Sequence, residues 1–160
     1  MTRFALQIFG AVILGNVLCP AKQPSAMKIS LAISKAAPMA LAIDFENSSD
    51  QAIHLWTDSN SWGWENLAIV VMRQGNPHFY RRTLNEGFTR NVPRFDVIEP
   101  GKSLGRVINL ADGSWICSGQ PLANLMKTDT IIALYAVPKS TEGSERNVWS
   151  GVACGATGGK

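Results

Sequence analysis

Three tryptophans stand close together in this chain, Trp56, Trp62 and Trp64, and the last two flank Gly63 in the run Asn60-Ser61-Trp62-Gly63-Trp64. Indole is large, rigid and amphipathic, which suits a platform for sugar stacking or the centre of a protein contact. A glycine between two tryptophans lets the backbone turn tightly, so that both rings can face one side. Five arginines follow, Arg73, Arg81, Arg82, Arg90 and Arg94, interleaved with Phe79, Tyr80 and Phe88. The forked guanidinium suits an anionic glycan, a phosphate or an acidic partner. We therefore expect a binding surface built from Asn60, Trp62 and Trp64, with Arg81 and Arg82 nearby on an exposed strand. Two competing expectations use the same residues. The tryptophan loop can instead fold over one end of the domain and plug its core. The arginines can instead pair across strands with the acidic residues before them. Residues 36–72 carry Asp44, Glu46, Asp50, Asp58 and Glu65 with no Lys or Arg, a net of −5; residues 73–94 carry the five arginines against Glu86, a net of +4.

Catalytic patterns are thin. A nucleophilic triad needs a base beside Ser or Cys, and the chain offers only His54 and His78, both in expected strands. There is no Gly-x-Ser-x-Gly elbow, phosphate loop or dinucleotide fingerprint. Asp58-Ser59-Asn60-Ser61-Trp62-Gly63 mimics the start of a calcium loop, but Trp62 stands where an oxygen ligand is needed and Ile69 where a bidentate Glu is needed. Carboxylates for glycoside hydrolysis could be drawn from Asp44, Glu46 or Glu65, and no pair stands out. The expectation is no enzyme, no cofactor and no metal.

The elements that must position these residues read as strands. The chain has 160 residues, enough for one domain, with 46% hydrophobic and 17% charged residues, which excludes a disordered chain. A net charge of +3 is too small to imply nucleic acid. From Met27 onward, apolar residues recur with period two between turn signals. Met39, Leu41, Ile43 and Phe45 alternate with small or polar residues, which predicts a strand with one buried face; Asn47-Ser48-Ser49-Asp50 ends it. Ile53 to Trp56 is expected as the returning arm of a hairpin. Leu67 to Arg73 is almost wholly apolar and is expected at the centre of a sheet, buried on both faces. Further strands are expected over His78–Thr83, Phe95–Ile98, Leu104–Leu110, Ile131–Val137 and Asn147–Cys154, with a polar loop over Lys139–Glu145 and a short helix over Pro121–Lys127. This spacing predicts an all-β fold, a sandwich rather than a barrel.

The first segment reads as an address. Arg3 precedes an apolar run, Phe4 to Leu18, too short to span a membrane. Cys19-Pro20-Ala21 supplies small residues for cleavage after Ala21, and Pro24-Ser25-Ala26 supplies a second site. The expected organisation is a cleavable signal helix over 1–21, a linker over 22–27, the domain over 28–156 and a flexible tail over 157–160. Export to a periplasmic or extracellular space is expected; membrane anchoring would need an uncleaved leader or lipidation at Cys19. Cleavage after Ala21 leaves Cys117 and Cys154, an even count that suggests one disulfide in an oxidising compartment.

A resemblance adds to this. Asp44-Phe45-Glu46-Asn47-Ser48-Ser49-Asp50 with Ile53-His54-Leu55-Trp56, the pair Pro100-Gly101 before a strand, and the closing Ile132-Ala133-Leu134-Tyr135 and Val148-Trp149-Ser150-Gly151 resemble secreted immunoglobulin-like β-sandwich domains. The resemblance implies a fold and no chemistry. The functional expectation is an exported binding protein with a protein or glycan partner. The alternatives are an inhibitor or immunity-type protein that blocks an enzyme through the Trp62 loop, and a small carboxylate-dependent hydrolase.

Overall fold

The computed structural model describes residues 29–37, 39–83, 92–126 and 128–157. The expected leader over 1–21, the linker over 22–27, Cys19, Phe88 and Arg90 lie outside the described residues. The protein is all-β, with one short helix among the described residues. The elements are β1 (Ile29–Ala37), β2 (Ala40–Asn47), β3 (Ile53–Trp56), β4 (Leu67–Arg73), β5 (Asn76–Arg82), β6 (Phe95–Ile98), β7 (Ser103–Asn109), β8 (Trp115–Cys117), β9 (Gln120–Pro121), β10 (Thr130–Val137), α1 (Thr141–Glu145) and β11 (Gly151–Ala156). They form three antiparallel sheets, ordered β1-β2-β7, β11-β10-β4-β5-β8-β9 and β3-β6. Among the described residues no helix is long and apolar enough to cross a membrane.

Period-two patterning explains which side each strand buries. In β2, Leu41, Ile43 and Phe45 are buried while Asp44 and Glu46 are exposed. In β10, Ile131, Ala133, Tyr135 and Val137 are buried. Phe45 meets Tyr135 edge to face at 4.9 Å, so the three-stranded and six-stranded sheets share one core. Tyr135 also stacks on Trp149 at 6.1 Å. β4 lies between β10 and β5, and Ile69, Val70 and Val71 are all buried, which accounts for its nearly unbroken apolar run. The β4–β5 hairpin closes through Gln74 and Gly75, with φ of 50° and 80°, the double positive-φ pattern of a two-residue hairpin turn.

Several expectations are corrected. β3 pairs with β6, not β2. Asn47 diverts the chain: its amide donates to the carbonyls of Gln51 at 2.7 Å and Ile98 at 2.8 Å, and its carbonyl oxygen accepts from the Ser49 N–H at 2.9 Å. These bonds tie the end of β2 to the strand leading into the 99–102 turn rather than to a hairpin return. No helix forms over 121–126 among the described residues: Pro121 pairs with Ile116 in the β8–β9 ladder, and the Leu122 N–H donates to the Trp115 carbonyl at 3.0 Å. The helix lies instead in the expected polar loop, where the Ser140 hydroxyl caps α1 by accepting from the Gly143 N–H at 3.0 Å. The last strand starts at Gly151 rather than Asn147, because Val148 first makes a parallel bridge to His54 and the Trp149 N–H donates to the His54 carbonyl at 2.9 Å. Thr157 is held rather than loose: it exchanges two hydrogen bonds with Ile131, at 2.8 and 3.0 Å.

The Cys117–Cys154 disulfide is not formed. Cys117 carries a free thiol, whereas Cys154 is disulfide-bonded. Cys117 lies on β8 and Cys154 on β11, four strand spacings apart in the same sheet, which is about 19 Å. A disulfide needs Cα atoms within about 7 Å.

Candidate functional site

The tryptophan loop joins β3 to β4 at one end of the molecule, and a buried asparagine builds it. Asn60 is 3% exposed. Its carbonyl oxygen accepts from the Trp62 N–H at 3.1 Å and the Gly63 N–H at 3.0 Å. Its amide donates to the Thr57 hydroxyl at 2.9 Å and the Arg94 carbonyl at 3.1 Å. Asn60 thus saturates its own amide and satisfies two loop donors, as a buried side chain must. It scaffolds the loop and presents nothing to a partner. Gly63 is required for a reason beyond the turn. A Cβ there would sit 2.0 Å from the Thr57 carbonyl oxygen and 2.6 Å from its carbon, so the two arms of the loop touch backbone to backbone.

The two loop tryptophans part company. Trp62 packs at the margin of the core, its ring 5.9 Å from buried Trp56, and its Nε1–H donates to Glu142 Oε2 of α1 at 2.6 Å. That is partly the core-plug arrangement. Trp64 turns to β5, where the Arg82 guanidinium lies 4.6 Å from its ring centre and its Nε1–H donates to the Thr83 carbonyl at 3.3 Å. The same guanidinium lies 5.0 Å from the ring of Trp115, which is fully buried. Arg82 is thus held between two indoles, a favourable cation–π geometry in a desolvated place. Its side chain is 10% exposed, and Nη1 lies 3.4 Å from Asp58 Oδ2. Its Nε is buried with no hydrogen-bond partner among the described residues.

The expected set is therefore only partly assembled. Asn60, Trp62, Trp64 and Arg82 meet at one end. Arg81 does not join them: it pairs with Ala68 and Ile116, and adjacent strand residues face opposite sides, so it stands exposed on the far face of the sheet. The Asp58–Arg82 pair does link the acidic segment to the basic one, whereas Arg73 takes its partner from elsewhere. Its Nη2 lies 2.7 Å from Asp129 Oδ2, and the hydrogen bond to that carboxylate, opposed by desolvation, raises the Arg73 pKa. Trp115 and Glu142 belong to the site and were not expected in it. Each arrives from more than thirty residues beyond the loop, and neither has a neighbouring motif that marks it.

The other candidates for chemistry lie apart. His54 stacks on Phe95 at 4.5 Å, and its Nδ1–H donates to the Arg146 carbonyl at 2.8 Å, which occupies the ring structurally. Asp44 and Glu46 stand on the exposed face of β2, and Glu65 stands before β4 in a different sheet. Among the described residues no group of three or more His, Cys, Asp or Glu could hold a metal ion. Burial pushes the Tyr135 hydroxyl up to about 12 and raises that of Tyr80. No protein-family model matches the chain, and no curated protein matches it.

Proposed function

We propose that this is an exported single-domain binding protein of immunoglobulin-like two-sheet build, without catalytic activity, that recognises a protein or glycan at the end carrying Trp64. The observation that carries the reading is the mounting of Trp64. Its half-buried indole is clamped by the Arg82 guanidinium at 4.6 Å and by a hydrogen bond to Thr83. A rigid aromatic held before the partner arrives loses little entropy on binding, and such anchors dominate contact energies. Arg82 acts as the positioning residue behind the ring rather than as a contact. Trp62, tied to α1, supports the rim. The shared core of the two larger sheets supports the sandwich, and the order of charged, apolar and small residues at the N-terminus supports export.

The test compares the wild-type domain with Trp64→Ala, first matched by thermal melting. Both are titrated against a panel of neutral and acidic oligosaccharides and used to capture proteins from the surrounding medium. The reading expects one saturable partner whose affinity falls at least about thirty-fold in Trp64→Ala, the equivalent of a 2 kcal/mol anchor. A partner held equally by both proteins, or a ligand turned over into product, overturns it.

A further inference from the structure

We propose that the free edge of β7 takes up an extended peptide segment of another protein as an added antiparallel strand, and that this segment places a lysine or arginine opposite Gly105. β7 ends the three-stranded sheet, where β2 is its only partner among the described strands. The Leu110 N–H donates to the Met39 carbonyl at 2.8 Å, and the Lys102 carbonyl accepts from the Asn47 N–H at 3.0 Å. Even-numbered residues therefore bond toward β2, and the residues between them turn their N–H and C=O groups the other way. Ser103, Gly105 and Val107 thus line the edge with three donors and three acceptors, and no backbone hydrogen bond from a described residue meets them. Asn109 ends the row, because its carbonyl accepts from Trp115 Nε1 at 3.0 Å.

A bare edge is a template for another strand, and proteins guard such edges with lysine, proline, bulges or inward charge. Ser103–Asn109 contains no lysine or proline, and its register with β2 runs without a bulge. Its one charge, Arg106, is already paired with Asp96 at 2.7 Å and the Trp56 carbonyl at 3.1 Å, so an added strand leaves it satisfied. Val107, 70% exposed, offers the strand apolar contact.

The charge beside the edge selects the partner. Asp44 and Glu46 stand exposed on the solvent face of β2, opposite Gly105 and Ser103. Asp44 Oδ1 overhangs the glycine: a Cβ at Gly105 would lie 3.1 Å from that oxygen. Asp44 forms no ion pair among the described residues. An added strand runs two strand spacings from β2, about 9–10 Å. A lysine or arginine opposite Gly105 is long enough to lie back across the glycine and meet Asp44, a path that a side chain at this position would close. Opposite Val107, the antiparallel partner brings an apolar residue two positions before the cation. Main-chain bonds supply the affinity and these alternate side chains the specificity. The surface uses none of the residues of the Trp64 end, so its failure and the failure of that reading are separate.

The probe is a blocked, threonine-rich heptapeptide with a central lysine and a valine two positions before it, titrated into the isotope-labelled full chain. The amide signals of Ser103, Gly105 and Val107 should shift and saturate. Methylating the backbone nitrogens of the lysine and the valine, which face β7, should abolish binding; methylating those of the residues flanking the lysine, which face away, should leave it nearly unchanged. Glutamine in place of the lysine should weaken binding about five-fold, the effect of one cross-strand ion pair, and Asp44→Asn should erase that difference. Trp64→Ala should bind the peptide as the wild type does. No saturable shift, equal effects of the two methylation patterns, equal affinity of the lysine and glutamine peptides, or shifts confined to other elements overturn the proposal. So does a β7 shift that appears when the protein alone is concentrated, which makes a second copy the occupant.

Discussion

Replacing Gly63 by alanine tests the construction of the tryptophan loop with a single methyl group. The added Cβ would lie 2.0 Å from the Thr57 carbonyl oxygen and 2.6 Å from its carbon. Both are backbone atoms and cannot rotate away, so one arm of the loop must move. Movement strains three hydrogen bonds at once: Gly63 N–H to the Asn60 side chain at 3.0 Å and backbone carbonyl at 3.2 Å, and Trp62 N–H to the Asn60 side chain at 3.1 Å. At about 1 kcal/mol for each bond, and with overpacking of a tight site costing about 1–3 kcal/mol, the loss comes to roughly 3–4 kcal/mol, allowing for partial relaxation. For a domain of this size that lowers the melting temperature by about 10 °C. Gly75→Ala provides the contrast. Gly75 has φ of 80° and nothing within 4 Å, so only the left-handed backbone penalises alanine, by about 1 kcal/mol. Thermal unfolding followed by far-UV circular dichroism reads both. A Gly63→Ala protein that melts within 2 °C of wild type, or no lower than Gly75→Ala, would refute the backbone contact on which the loop is built.

Three further substitutions follow from the same packing. Asn60→Ala leaves the Trp62 and Gly63 donors without their side-chain acceptor and should cost about 2–3 kcal/mol in denaturant unfolding. Asp129→Ala removes a carboxylate that is 1% exposed and accepts from Arg73 and from the Met126 N–H at 2.8 Å; because Arg73 retains 27% exposure, the expected loss is about 2–3 kcal/mol rather than the full value for a buried pair, and Asp129→Asn should lose less. The buried Tyr135 hydroxyl lies beside Asn66 and Arg106 without reaching hydrogen-bond geometry with either, so Tyr135→Phe should be close to neutral at pH 7. Burial holds the Tyr135 hydroxyl at about 12 against an ordinary 10.0. The folded state therefore keeps the proton longer than the unfolded one, and stability that is full below pH 10 falls as pH rises toward 12, by up to about 1.4 kcal/mol per unit. Urea midpoints measured between pH 9 and 12 should show a shallower fall in Tyr135→Phe.

Strand existence was legible because burial imposes period two on it. β2 and β10 alternate cleanly, and the buried run Ile69–Val71 of β4 marks a strand with neighbours on both sides. Pairing was less legible. β3 follows a good turn, yet its partner β6 is chosen by Asn47, whose amide reaches the Ile98 carbonyl across the sequence. Pro121–Lys127 lacks period-two patterning, and so does the polar stretch that becomes α1; a Ser140 cap and an Asp129 carboxylate decided them, and both are single side chains. The site was visible in composition and not in orientation. Arg81 and Arg82 are equivalent in composition, but one strand step puts Arg82 between Trp64 and Trp115 and Arg81 on the opposite face. Even cysteine counting failed for the same reason, since it says nothing of the four strand spacings between β8 and β11.

The central claim is that the end of the molecule at Trp64 is where the partner binds, and indole nitrogen–proton NMR tests it most directly. The chain has five tryptophans, hence five indole signals, assigned one at a time by substitution to phenylalanine. The account predicts that the bound partner shifts or broadens Trp64 most and Trp62 next. Trp115, Trp149 and Trp56 are buried and should move little. A partner that leaves Trp64 unmoved while backbone amides around Phe79 and Val152 shift would contradict the account and place recognition on the outer face of the sheet.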